Sequence, residues 1–441
     1  MSEQWQRARL IPASSSRTSD ENEQRATSAL LAVLGIVPVF AKSLLTPLGA
    51  SITRNTTIET FIETTFDLPG GGKVRPDGLI RISRPKHAPF VALVEVKTGR
   101  NILNPEQLNS YIEVARSEGF DCIWTISNEI PPQFGVHPTS GIHVRSNSKV
   151  KVHHLSWTSI LTAALMEKVH RGVSDPEQSW ILGELIRYLE HPASGAMDFD
   201  DMGPHWATVR NGVRDSSLSR RDESVGAIAL RWDQLVRYVS LKLGGAIGED
   251  VQEIVSRQHR IDPSARTKHF ADELVASGCL SGILRVPDTA DDLHIKVDLK
   301  ARQIVISSEI SAPDDRGSRA SITWLTRQLR DSPDATVVSS YARNSSIAQS
   351  TSLETMKHDP SVLLPGGKKA IGRFEVSIRS ELGTGRRSDS STSFVNSLIG
   401  AVVEFYGGVL QSLQAYRPRA PRLQQPMIEV PSNNDALAIE S

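Results

Sequence analysis

Hydrophobic spacing divides this 441-residue chain into elements of clear period. From about Glu21 to Leu45, Leu30, Leu31, Leu34 and Val37 recur at helical spacing, with Asp20 or Asn22 as the capping start. Pro38 predicts a kink or a stop in that helix. "TTIETFIETTF" alternates and reads as a strand, and the glycines of "DLPGGGK" mark a turn. "VRPDGLIRIS" and "PFVALVEVKTG" are two further strands joined by "RPKHA". "NPEQLNSYIEVARSEG" is an amphipathic helix with Asn104 as cap, Pro105 at its first position and Gly119 as its stop. "FDCIWTISN" and "KVKVHHLSW" are apolar strands, followed by a helix from about Ser156 to Arg171 and another in "EQSWILGELIRYLE". This order predicts an α/β sheet with an antiparallel front and helices packed on it.

Between residues 191 and 225 the text turns to Gly, Asp, Ser and Arg, which predicts a linker after a first domain at 20–190. A second, α+β domain is expected at 226–416, opening with the helical "IALRWDQLVRYVSLKL". It continues through the hairpin "GILRVPDTADDLHIKVDL" and the strand "QIVISSEI" to a long helix, "FVNSLIGAVVEFYGGVLQSLQAY". Residues 1–19 read as a flexible lead, and the Pro-rich 417–441 as a disordered tail. The length agrees with two or three domains. Trp180, Trp232 and Trp324 look like core anchors on helices.

Composition narrows the partners. Fifty basic residues balance fifty acidic ones, so any nucleic-acid site must come from local clustering. Cys122 and Cys279 follow no metal-ligand spacing, and a reduced, cytoplasmic compartment is the simplest expectation. The most apolar run, "ALLAVLGIVPVFA", has 13 residues and contains Pro38. A membrane span needs roughly 20, so no membrane partner is expected.

The chemistry lies in "RPDGLI" and "LVEVKTG". If the loop between these strands is symmetric about Lys86, Asp77 stands directly opposite Glu95. Opposed residues share a face with Cβ atoms ~4.5–5.5 Å apart. Lys97 shares that face by the period of two, while Val94 and Val96 point into the core. Two carboxylates that close repel unless a proton or cation lies between them. A hard ion, Mg²⁺ or Mn²⁺, suits Asp77 and Glu95, with the Val96 carbonyl as a further ligand. Lys97 would then orient a water-derived nucleophile or stabilise charge on phosphorus, as metal-assisted phosphodiester hydrolysis requires. The plainer alternative is a cross-strand ion-pair network at a strand end.

P-D-G, a spacer and E-V-K closely resemble the PD-(D/E)XK nuclease superfamily over roughly residues 20–170, and the order of elements matches as well. The resemblance implies a restriction-endonuclease-like mixed sheet flanked by helices. It also implies metal binding by Asp77 and Glu95 and a catalytic Lys97. A further acid often comes from the first helix, where Glu23 is the best candidate; Glu59 and Glu63 are weaker ones. Gln107 and Tyr111, four apart on one helical face, are similar to the Q-x-x-x-Y motif of RecB-type members, where it faces the active site. Lys73, Arg75, Arg81, Lys86 and Arg100 are candidate phosphate contacts. His153 and His154 are expected to serve packing or surface roles. "PDTADDLHIKVDLK" is a decoy: its turn would hold Asp288, while Asp298 would face Gly282 to Leu284, away from any joint site with Lys300.

The expected activity is a Mg²⁺-dependent nuclease acting on nucleic acid, DNA first, with a homo-oligomer or protein contact assigned to the second domain. The rival is a catalytically silent nuclease-like module that binds nucleic acid or protein in a stress or defence response.

Overall fold

The computed structural model describes residues 5–10, 19–131, 137–144, 148–199, 201–367, 369–383 and 393–417. The chain is of mixed α/β class. Its first half begins with β1 (Gln6–Arg7), α1 (Ser19–Ile36), α2 (Pro38–Leu45) and β2 (Thr57–Ile62). A short ribbon of β3 (Phe66–Asp67) and β4 (Lys73–Val74) leads to β5 (Gly78–Ser83) and β6 (Phe90–Val96). Then come α3 (Pro105–Glu118), β7 (Cys122–Ser127), β8 (Lys151–Ser156), α4 (Trp157–Leu165) with a π-helical extension, Met166–Arg171, and α5 (Pro176–Glu190).

These strands form one sheet in the order β1-β2-β5-β6-β7-β8. Pairing is antiparallel from β1 to β6 and parallel from β6 to β8. Pro38 has the effect its ring requires: α1 and α2 meet at 112°, so the apolar run forms two helices rather than one. One sheet face, with Ile80, Ala92, Val94 and Val96, packs with Leu30, Leu34, Phe40, Trp157 and Leu185 from the helices. The other, with Leu79, Val91 and Leu93, packs with Leu108, Tyr111 and Ile112 of α3. Asn104 caps α3 by accepting the Glu106 N–H at 2.9 Å, and Gly119 ends it in the left-handed region.

The second half contains α6 (Trp206–Arg214), α7 (Glu223–Ile247), β9 (Gln252–Glu253), α8 (Arg257–Ile261) and α9 (Pro263–Ser277). It goes on through β10 (Cys279–Arg285), β11 (Leu293–Asp298), β12 (Gln303–Ser311), α10 (Ser318–Gln328), β13 (Val337–Ala342) and β14 (Ala348–Ser352). It closes with α11 (Leu353–His358), β15 (Ile371–Glu381) and α12 (Phe394–Gly408). Its antiparallel sheet runs β14-β13-β15-β12-β11-β10-β9. The stretch Phe394–Ser412 is long and apolar enough to cross a membrane, yet Phe394, Leu398, Val402 and Phe405 pack in this half's core.

Several expectations need correction. Part of the lead is built into the sheet: Gln6 and Arg7 pair with Ile62 and Phe61, supplying hydrogen bonds to an otherwise bare edge. The stretch 191–225 carries α6, and its Phe199, Met202, Val209 and Val213 join the second core, so it has apolar anchors that a linker lacks. Trp180 is 60% exposed because α5 turns Leu182, Leu185, Ile186 and Leu189 inward instead; Trp232 is fully buried and Trp324 half-buried. In the decoy hairpin Asp288 sits in the turn at φ 58°, but Asp298 faces Cys279, since the turn takes up all of Val286 to Asp292. Its carboxylate accepts the Ala301 N–H at 2.7 Å. The long last helix stops at Gly408. The expected tail at 418–441 lies outside the described residues.

Gly78 shows why the first half closes as it does. A Cβ there would collide with Leu31 Cδ1 of α1 and stand 3.2 Å from the Phe61 carbonyl oxygen of β2. The glycine of "PDG" therefore lets α1 lie directly on the sheet beside Asp77. Gly78→Ala is expected to destabilise the fold by about 1–3 kcal/mol through overpacking, read as a lower urea midpoint. Leu31→Ala is costly in its own right, but in that background the added cost of Gly78→Ala should be smaller than in the parent chain.

Candidate active site

The β5–β6 register matches the expected one. Gly78 faces Val94 and Ile82 faces Phe90, so Asp77, one residue before β5, falls opposite Glu95. Asp77 Oδ2 accepts the Val96 N–H at 2.8 Å. Within a strand the N–H and C=O of one residue leave on the same side, so the Val96 carbonyl also opens towards Asp77.

Glu95 is 1% exposed. Its Oε1 lies 2.8 Å from Lys97 Nζ, off the direction of a hydrogen bond, and neither carboxylate oxygen accepts a hydrogen bond among the described residues. Lys97 donates to Glu23 Oε2 at 3.2 Å. Glu23 reaches past the end of the sheet from the first turns of α1, and its Oε1 accepts from Asn101 Nδ2 at 2.6 Å and the Thr98 N–H at 3.4 Å. Trp157 Nε1 donates to the Lys97 carbonyl at 2.9 Å and fixes the chain where β6 ends. Asp77, Glu95, Lys97 and Glu23 thus converge. Asn101 and Trp157 were missed by the sequence reading, because a loop Asn and a helix Trp carry no motif.

The cluster holds three carboxyls and one ammonium. Burial, then Glu95, raises the Asp77 pKa well above the carboxylate range, and Glu23 adds to this against Lys97 and the Val96 N–H. Burial opposes the Lys97 charge, but Glu95 and Asp77 outweigh it, and the ammonium is held more firmly than in water. Tyr111 is 1% exposed, and its hydroxyl takes the Gln107 amide at 2.7 Å and donates to the Arg75 carbonyl at 3.3 Å. Burial and the negative Glu95 and Asp77 push its pKa upward, so it faces the acids as a neutral phenol.

The other candidates divide. Glu59 is opposite Arg81 and bound to Arg7 at 2.5 Å, away from the cluster. Glu63 lies closer, its N–H on the Asp77 carbonyl at 3.1 Å, but its carboxylate takes Gln24 at 2.9 Å and Arg75 at 3.6 Å. Lys73 is exposed beside Asp67. Arg81 lies over the rings of Trp5 and Phe61, where burying its aliphatic stem and facing two aromatic rings hold it. Lys86 sits at the hairpin tip, the opposite end of β5 and β6 from the acids. Arg100 is exposed on the loop after Lys97.

His154 is packed, as expected. Its Nδ1 meets Thr125 Oγ1 at 2.9 Å and its Nε2 meets the Glu129 carbonyl at 2.9 Å, while His137 Nε2 reaches the same hydroxyl at 2.8 Å. Burial lowers His154 to about 3 and His137 to about 4. His153 is half-buried and also lowered by burial.

Among the described residues no three His, Cys, Asp or Glu side chains already form a metal-holding group. The donors that are present nonetheless fit a hard cation: Asp77, a Glu95 carboxylate with both oxygens free of hydrogen bonds, and an adjacent backbone carbonyl. The chain matches no family model, no curated protein and no solved structure.

The raised Asp77 pKa has a consequence for stability. Folding favours its protonated form, so its stabilising contribution is present at acid pH and is lost as pH rises through the folded pKa. Asp77→Asn is therefore expected to raise the urea midpoint at pH 7.5, with the gain shrinking as the buffer is taken towards pH 4. An unchanged or lower midpoint at pH 7.5 would contradict this electrostatic account.

Proposed function

We propose that the chain is a metal-dependent nuclease of PD-(D/E)XK type, with a restriction-endonuclease-like first domain, hydrolysing phosphodiester bonds in DNA. The observation that carries this reading is Glu95: a buried carboxylate without a hydrogen bond, beside Asp77 and Lys97. Lys97 meets the charge at Oε1, but a purely structural pair would also satisfy Oε2, which has no partner among the described residues, and an unsatisfied buried acceptor is costly. Asp77, Glu95 and the Val96 carbonyl would hold Mg²⁺ or Mn²⁺. Such an ion supplies polarisation of a phosphoryl oxygen and a lower pKa for water.

The chain's own residues supply the rest. Lys97, held as an ammonium by Glu95 and Asp77, would donate hydrogen bonds to the attacking water or to the phosphoryl oxygens. Glu23 holds that ammonium in place, and Asn101 and the Thr98 N–H hold Glu23. Tyr111 lies near the acids as a neutral phenol, its hydroxyl held by the Gln107 amide and the Arg75 carbonyl.

One observation favours the silent module: Lys97 already neutralises part of the acidic charge, and no ready-made metal group is present among the described residues. The two readings separate in one assay. Linear, nicked, branched and single-stranded DNA, and RNA, are incubated with the protein while Mg²⁺ or Mn²⁺ is titrated. The nuclease reading expects metal-dependent cleavage, abolished by a chelator and reduced on the order of 10²–10³-fold in Lys97→Ala, as for loss of a charge-stabilising donor, with folding retained by circular dichroism. No cleavage of any substrate would give way to the binding module.

A further inference from the structure

A cleft of about 1130 Å³ opens beside this site, between the two halves of the chain. Its near wall is the loop that follows Lys97, with Arg100, Asn101 and Ile102; its far wall includes Trp206 and Arg210 of α6. Asn101 belongs to both places, since it also holds Glu23 at 2.6 Å. The cleft therefore begins where the charge cluster ends.

Three arginines line this cleft, and one of them, Arg231, is already engaged: it lies over the Phe199 ring and donates to the Asp201 carbonyl at 2.9 Å. Arg100 and Arg210 have no ion pair among the described residues, and Arg210 is half-buried, where burial and the like charge of Arg302 both oppose its charge. A half-buried cation with no counter-ion favours an anion beside it. The acids on the same lining are Glu129, Asp198 and Asp201. Asp198 is neutralised by Lys242 at 2.9 Å, Asp201 accepts the Gly203 N–H at 2.7 Å, and burial raises the Glu129 pKa. Apolar surface is also on offer: Ile102 is 73% exposed, and the half-buried Trp206 ring is backed by Phe394 at 4.7 Å. Unpaired cations with aromatic and aliphatic surface make the chemistry of a single-strand groove. A space of this volume has room for a few unpaired nucleotides and not for a duplex.

We propose that a single strand of the substrate runs from the Asp77–Glu95–Lys97 site over the Arg100–Ile102 loop into this cleft. Arg100 holds one of its phosphates and Arg210 another. The proposal rests on the nuclease reading and gives the second half a role in holding substrate.

The test is fluorescence anisotropy of a labelled single-stranded oligonucleotide with full-length protein in chelator, over a salt series. Arg210→Glu is expected to weaken binding at least tenfold and to reduce the slope of log K against log salt by about 0.7, the value for one phosphate contact on a single strand. Arg100→Glu should act in the same direction, and Arg210→Lys should retain most of the affinity. Lys86→Glu, the same charge change at the distant hairpin tip, should leave binding unchanged. Equal weakening by Lys86→Glu and Arg210→Glu, an unaltered affinity in Arg210→Glu, or tighter binding of a duplex of the same length would overturn the cleft proposal. If the wild type still cleaves under Mg²⁺ in that case, the nuclease reading survives alone; a wild type that neither binds nor cleaves removes both.

Discussion

The ammonium of Lys97 is the contact on which this architecture turns. It lies between the Glu95 carboxylate of a central strand and the Glu23 carboxylate of the first helix, within 3.2 Å of each. Removing it would leave three carboxyls together at low dielectric, an arrangement held only by taking up protons or a cation. The same residue marks where β6 stops and the loop to α3 begins, and Trp157 grips its carbonyl. Charge balance and strand end therefore meet within one tripeptide, Val96–Lys97–Thr98.

The first helix is placed by two different forces that agree. Leu30, Leu31 and Leu34 bury its apolar stripe against the sheet, and the missing side chain of Gly78 sets how closely it can lie. Its opening turns then bring Glu23 over the sheet end, where Lys97, Thr98 and Asn101 receive it. Packing sets the distance and electrostatics sets the rotation.

What the sequence disclosed follows from the range of the forces involved. The β5–β6 register was legible because a short hairpin between two alternating runs admits few pairings, and the central turn residue Lys86 lies at φ 63°. The α3 boundaries were legible because Asn104 and Gly119 act within one turn of the helix ends. Glu23 came forward through a family likeness and not through spacing, since its partners lie more than 70 positions away. Asn101, Trp157 and the anchoring of residues 199–213 depend on contacts between distant segments, and no local pattern announces them. Trp180 misled for a related reason: its size suggested burial, while the phase of α5 had already been fixed by four smaller aliphatic residues.

The two residues of β1 have a reach beyond their length. They close the N–H and C=O row of β2, with Trp5 set against Phe61 and Phe66 just ahead of them. Without that cover the sheet would offer an open template for another copy's backbone. A purification tag that pulls this segment away would uncover part of that edge, so self-association in such preparations would report on the displaced strip and not on the protein's own quaternary habits.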